Sequence, residues 1–245
     1  VVTGGCGFVG SNLIGSLQAS VPGCYVVAID SMRTGSYSNL IEACGRLAGE
    51  PFLGEVIPES AADIDWASFV VERRPRAIFH LGAITDTTVD DESEMLRENA
   101  GECWRYMLDV AADAEMPLVY ASSAATYGTP AEAGTRVPFK ESSAGMPDNV
   151  YGFSKWMMET AHRRVAFERT AAGEATPWVV GLRYFNVFGP GESAKGKMAS
   201  MPAQLTAQIL AGQRPRLFAD GTQSRDQVPV EDIVGLTMAA AGIGG

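Results

Sequence analysis

The 245-residue chain is long enough to bury a substantial core, is 46% hydrophobic and 20% charged, and carries a formal net charge of −10. That charge excludes a general nucleic-acid surface, which needs clustered Lys and Arg, while leaving room for a local positive site for one small anion. The four cysteines (Cys6, Cys24, Cys44, Cys103) lack CxxC spacing and His80 and His162 are the only histidines, a poor basis for a metal site or a disulfide framework and one that suits a reducing cytoplasm.

In chain order, apolar runs at 1–3, 25–29, 77–81, 118–121 and 178–183 predict strands. Helical periods are predicted near 10–19, 63–72, 92–115 and 150–171. Near-continuous hydrophobic strands separated by amphipathic helices imply an α/β, doubly wound parallel sheet of Rossmann type, with its ligand crevice at the strands' carboxyl ends. After about Phe185 the pattern changes: "NVFGPGESAKGKMASMP" is rich in Gly, Ser and Pro and reads as a long functional loop. Helices at 202–211 and 231–241 follow, with "RPRLFADGTQSRDQVPV" between them. The expected division is a dinucleotide-binding domain at 1–185 and elements of a smaller substrate lobe at 186–245. The chain begins "VVTGG" and ends "AAAGIGG", so it reads as a piece lacking a residue or two in front and an unknown length behind, with the lobe incomplete. No stretch reaches the length of a membrane span and no basic-then-apolar signal leads the chain, so no membrane partner is expected.

"VVTGGCGFVGSNL" is a strand, a glycine turn and a helix start. Gly5-x-Gly7-x-x-Gly10 fits the dinucleotide fingerprint, and Gly4-x-x-Gly7-x-x-Gly10 fits its wider-spaced variant. Glycine lets the backbone turn tightly and approach a pyrophosphate, and the helix N-terminus offers it free N–H groups. Asp30, twenty residues past Gly10, stands where an acid can hold the adenosine ribose. Asp30 favours a free 2′-hydroxyl, whereas Ser31 and Arg33 suit a 2′-phosphate, so NADP is preferred and NAD stays open.

"NVYGFSKWMMET" places Tyr151 and Lys155 on one helical face. An ammonium near a phenol is expected to lower its pKa, as a group moving a proton at an alcohol requires; a plain surface pair is the alternative. "LVYASSAATYG" runs a buried strand into Ser123, which is placed to hydrogen-bond a reacting oxygen. Glycine turn, serine and YxxxK together form one constellation.

With TGGxGFxG, the serine-bearing strand end, YxxxK and "RYFNVFGP", the chain resembles the extended short-chain dehydrogenase/reductase family over essentially its whole length. That resemblance implies a nucleotide-linked sugar substrate and a homo-oligomer. "YASSAATYG", "NVYGFSK" and above all "KGKMAS" are similar to members that epimerise C6 of an ADP-linked glycero-manno-heptose for lipopolysaccharide core synthesis. The implied cycle is transient oxidation to a 6-ketone by bound NADP, then reduction on the opposite face. Tyr151 and Lys195 are then the proton-transfer groups, Lys155 assists Tyr151 and binds the nicotinamide ribose, and Ser123 contacts the substrate. As a base, Lys195 is expected to need a pKa lowered by burial beside other cations; its plainer role, with Lys197, is to neutralise a pyrophosphate.

By the same resemblance Gly4, Gly7, Phe8, Val9, Gly10, Leu81, Gly82, Ala83, Asn99, Val187 and Lys195 line the cofactor. Thr85, Asn186, Lys197, Gln204, Phe218 and Arg225 face the substrate, an Arg suiting its diphosphate. The chain departs from the family at Leu81, where Glu is common, and at Gln204, where a substrate-contacting His is common. Residues 42–65 align poorly, and a further basic cofactor contact expected there has no assigned residue. His80, on a buried strand, is expected to be a packed core residue rather than a base. The competing functions are a 4-epimerase or dehydratase of another nucleotide-sugar, and a non-catalytic NAD(P)-sensing protein that has lost its chemistry. Such sensors typically lose the Tyr or Lys of YxxxK, and both stand here.

Overall fold

The run VVAI folds as β2 (Val26–Ile29) with all its residues buried, and similar hydrophobic runs make β1 (Val2–Thr3), β4 (Ile78–His80) and β5 (Leu118–Ser123). The structure, a computed structural model, describes residues 1–86, 91–129, 138–217 and 225–244, with the side chains of Ala194 and Lys197 outside that description. With β3 (Gly54–Ile57) and β6 (Val179–Tyr184) these strands form a six-stranded sheet in the order β3-β2-β1-β4-β5-β6, parallel in each described pairing. This is the Rossmann-like α/β arrangement that the sequence predicts. Among the described residues no helix is long and apolar enough to cross a membrane.

Two compact units divide the chain: Val2–Pro58 with Phe185–Gly245, and Glu59–Tyr184 with Val1. In the first, α1 (Phe8–Ser20) buries Leu13, Ile14 and Leu17, and α2 (Tyr37–Leu47) packs against it. A Cβ on Gly15 would lie 2.8 Å from the Ala43 carbonyl, so glycine sets how closely these two helices approach. Strands β7 (Asn186–Phe188) and β8 (Gln227–Pro229) pair in parallel, and α7 (Met201–Leu210) and α8 (Val230–Ala240) complete the unit. Neither α2 nor β3 is among the predicted elements. β3 is half-buried throughout and carries Glu55, so it lacks the hydrophobic run of its neighbours. α2 buries only Asn39, Leu40, Ala43 and Cys44, and the Ser36 side chain caps it by accepting from Ser38 N.

The second unit carries β4, β5, β6, α3 (Trp66–Arg73) and the 23-residue α6 (Val150–Ala172). The single helix expected over 92–115 is two, α4 (Glu92–Ala100) and α5 (Glu102–Asp113). Gly101 breaks it: its backbone is extended, and a Cβ there would collide with the Arg97 carbonyl. Trp104, Met107, Leu108 and Tyr120 fill the core.

His80 is 5% exposed and stacks on Trp104 with ring centroids 5.3 Å apart. Burial, aided by the Lys155 charge, lowers its pKa to about 3, so it packs as a neutral ring. An unfolded chain takes up that proton near pH 6.5, well before the folded one does. Stability therefore falls as pH drops from about 6.5 toward 3. Between about pH 7.5 and 5.5 the wild type is expected to lose about 1 kcal/mol more than His80→Gln in urea titrations; parallel losses would reject that assignment.

Candidate functional site

The first unit holds the glycine turn. Gly4 has φ 65° and its N–H donates to Ile29 O at 2.7 Å, while its carbonyl accepts from Gly7 N at 3.0 Å. A Cβ on Gly10 would run into that Gly4 carbonyl, so the helix starts this close to the strand only with glycine there. Gly7 is the N-cap of α1 and makes no side-chain cap, leaving the first-turn N–H groups of α1 to a ligand or solvent. Asp30, 7% exposed at the end of β2, braces the turn: Oδ2 accepts from Cys6 N and Oδ1 from Met32 N, both at 2.9 Å. Burial and the neighbouring Asp30 push the Cys6 thiol up to about 11, so it stays a protonated packing group. Ser31 and Arg33 follow on the exposed stretch after β2.

The loop after β7 returns to this turn. Asn12 Nδ2 donates both to Phe8 O (2.8 Å) and to Pro190 O (2.9 Å), while Asn12 Oδ1 accepts from Arg46 Nη2. Beyond Pro190, the 3₁₀ segment Glu192–Met198 is fastened by Glu192, which accepts from Ser200 N at 2.9 Å and Ser200 Oγ at 2.8 Å. Lys195 Nζ lies 5.5 Å from the centroid of the Phe8 ring, within cation–π reach. Burial lowers the Lys195 pKa and Glu192 opposes it. Among the described residues the charge beside Lys195 is the Glu192 carboxylate; the Lys197 side chain, the other cation of this loop, lies outside that description.

The second unit holds the serine, tyrosine and lysine. β5 ends at Ser123, whose hydroxyl accepts from Ala125 N at 3.1 Å as the chain enters the 3₁₀ turn Ala124–Tyr127. α6 packs directly on that turn because Gly152 has no side chain; a Cβ there would sit 2.6 Å from Ala125 O. Asn149 caps α6 by accepting from Gly152 N at 2.8 Å. Tyr151, one residue into the helix, thereby reaches Ser123: burial raises its pKa, and the hydrogen bond with the Ser123 side chain pulls it back.

Lys155 is 2% exposed, and its Nζ lies 6.0 Å from the Tyr151 ring centroid. Among the described residues its hydrogen-bond partner is Met158 Sδ, at 3.7 Å, and burial lowers its pKa to about 8. The expectation that this ammonium lowers the phenol's pKa is therefore corrected. Burial raises the phenol's pKa, and the Ser123 side chain rather than the ammonium supplies the opposing effect.

Asn99 is 1% exposed and brackets the segment after β4, its Oδ1 accepting from Ile84 N (2.8 Å) and its Nδ2 donating to Ile84 O (2.9 Å) and Ser154 Oγ (3.0 Å). Ser154 Oγ in turn donates to Tyr151 O at 2.7 Å. Asn99 thus shapes the loop bearing Leu81, Gly82 and Ala83 and ties it to α6.

A charged cluster that the sequence reading did not single out lies behind Ser123. Arg183 on β6 grips Glu159 with Nε on Oε1 (2.8 Å) and Nη2 on Oε2 (2.7 Å), and Ser122 Oγ donates to Glu159 Oε1 at 2.6 Å. Arg183 Nη1 also donates to Tyr127 OH at 3.0 Å and to Glu141 O at 2.8 Å. Glu159 stands four residues past Lys155 on α6, a helical spacing that could have exposed it.

Each unit by itself offers a feature that fits part of a dinucleotide: in the first, the turn at residues 4–10 is a cradle that a Cβ at Gly10 would fill; in the second, Lys155 is a desolvated ammonium whose hydrogen-bond partner among the described residues is a thioether. A model of the NAD-dependent epimerase/dehydratase family matches residues 1–242. The chain belongs to that family. The crystal structure of Helicobacter pylori ADP-L-glycero-D-manno-heptose-6-epimerase is similar at 32% identity and TM-score 0.79, over 98% of this chain and 72% of that one. A UDP-N-acetylglucosamine 4-epimerase from Methanobrevibacter ruminantium matches at 25% identity and TM-score 0.80, over 98% and 72%. A UDP-glucose-4-epimerase from Stenotrophomonas maltophila, with bound NAD and formylated UDP-arabinopyranose, matches at 26% and 0.78, again over 98% and 72%.

For this epimerase/dehydratase family member, the remaining sequence-predicted residues fall as follows. Phe8 and Val9 begin α1, and Val187 is buried in β7. Thr85 is exposed after β4, and Asn186 Nδ2 donates to Asp226 O at 3.1 Å. Gln204 Nε2 donates to Ala199 O at 2.7 Å, and Arg225 is exposed just before β8. Phe218 and the Lys197 side chain lie outside the described residues.

Proposed function

We propose that the chain is a nucleotide-sugar epimerase that inverts C6 of an ADP-linked glycero-manno-heptose with bound NADP, for lipopolysaccharide core synthesis. When bound, the dinucleotide supplies reversible oxidation of a secondary alcohol to a ketone. The glycine turn and the first N–H groups of α1 take its diphosphate, Asp30 its adenosine ribose, Ser31 and Arg33 a 2′-phosphate, and Lys155 the second ribose. Tyr151, hydrogen-bonded to Ser123, moves the proton at the reacting oxygen, and Lys195 serves the second face of the sugar. Thr85, Asn186, Lys197, Gln204, Phe218 and Arg225 contact the nucleotide-sugar. The working form is a cytoplasmic homo-oligomer.

The observation that carries this choice of substrate is Lys195, a desolvated amine held above Phe8 at the cradle. The identity of 32% to the heptose epimerase supports it. The test uses the full-length protein. Denaturation should release NADP, and NMR should show both C6 epimers interconverting without added nicotinamide cofactor. In heavy water no solvent deuterium should enter C6; its appearance there would indicate carbanion chemistry and overturn the reading. Lys195→Met is expected to slow epimerisation about 100-fold or more.

A second reading, a UDP-sugar 4-epimerase, is favoured by TM-scores of 0.80 and 0.78 to two such enzymes, level with the 0.79 above. It requires turnover of UDP-glucose or UDP-N-acetylglucosamine, with Lys195→Met almost as active as wild type.

A further inference from the structure

We infer that Asn12 is a positioning residue for Lys195: one amide nitrogen fastens both the residue beneath the lysine and the loop that carries it. Asn12 Nδ2 donates to the carbonyl of Phe8, whose ring Lys195 covers, and to the carbonyl of Pro190, which begins the turn leading to Lys195. These two bonds join segments that lie 178 residues apart in sequence. Arg46, from α2, fixes the third point by donating to Asn12 Oδ1, which sets the amide's orientation.

The site is built for this contact. Asn12 is 3% exposed on a helix that otherwise buries Leu13, Ile14 and Leu17, where an asparagine is a poor choice for helix propensity and costly to bury without partners. Each polar atom of its amide has a partner. The docked carbonyl lies between Gly189 (φ 142°) and Gly191 (φ 93°), backbone conformations that side chains rarely adopt. A Cβ on Gly191 would lie 3.4 Å from Asn12 Nδ2, so the loop meets the amide at van der Waals distance. The Glu192–Ser200 bonds stiffen the loop internally without tying it to α1. Asn12 is therefore the tether that converts a stiff loop into a placed lysine.

The inference rests on Lys195 acting in proton transfer, and the test separates the two. Asn12→Ser is the informative variant: a helical serine hydroxyl bonds its own i−4 carbonyl, here Phe8 O, and leaves Pro190 O untethered. In the full-length protein Asn12→Ser is expected to lower kcat about tenfold with KM within about twofold, since small misplacements of a reacting group cost rate. In the Lys195→Met background the same change should cost nothing further. Equal losses in both backgrounds would show a general structural role and overturn the inference.

Competitive acetylation across pH reads Lys195 directly and needs no substrate. Its pKa should move toward the ordinary lysine value of about 10.4 in Asn12→Ser, and in Asn12→Leu should the serine variant fold poorly. A lysine pKa unchanged by either variant overturns the positioning role, whatever the activity. Full turnover in Lys195→Met alone, with its pKa still responding to Asn12, defeats the catalytic reading and leaves the tether standing.

Discussion

Tyr151→Phe is expected to lower turnover by about 10²–10⁴-fold, the range that a positioned acid–base group contributes, while the protein folds and retains its dinucleotide. The substitution removes one oxygen and leaves the ring where α6 holds it. Gly152 and Asn149 fix that placement, and neither depends on the phenol. What disappears is the partner of the Ser123 side chain, which is the group opposing the burial that raises Tyr151's pKa. At neutral pH the phenol therefore keeps its proton, and in the proposed cycle it is poised to donate it. Lys155, with a pKa of about 8, begins to lose its charge only slightly above neutrality. Turnover by NMR and released dinucleotide by absorbance check the prediction together. A Tyr151→Phe enzyme within about tenfold of wild type would remove the phenol from the chemistry.

The strands were legible because burial on a parallel sheet demands near-continuous hydrophobicity, and VVAI and LVYASS satisfy it. Tyr151 and Lys155 were legible because helical spacing alone places them on one face, and the glycines because only they permit the Gly4–Gly10 approach. The sequence did not reveal that Lys155 Nζ turns to Met158 Sδ, since that depends on what surrounds the helix. Gly101 does not announce the break between α4 and α5, because a single glycine costs a helix only about 1 kcal/mol. Asn12 carries no local signal; its meaning lies in a contact with Pro190 that no local pattern encodes.

Glu159→Gln is expected to destabilise the protein by about 3 kcal/mol at neutral pH, near the low end for breaking a buried pair by removing one partner. The side chains of Arg183 and Glu159 are 13% and 10% exposed, so the Arg183 guanidinium would be left poorly solvated with half of its fork unmatched. Burial by itself raises the Glu159 pKa, but the Arg183 fork, then Ser122, then the charges of Arg183 and Arg163 outweigh it and hold the carboxyl below its usual value. A depressed folded pKa means that the stabilisation is fully present above the unfolded carboxyl value of about 4.3 and is lost as pH falls through the folded one. The gap between wild type and Glu159→Gln should therefore be constant from about pH 8 to 5.5 and close in acid, as read from urea midpoints. The double replacement Glu159→Leu with Arg183→Leu should recover part of the loss, because two apolar groups leave no charge stranded. A gap that persists unchanged in acid would show that packing, rather than the ion pair, holds the end of β5 beside Ser123.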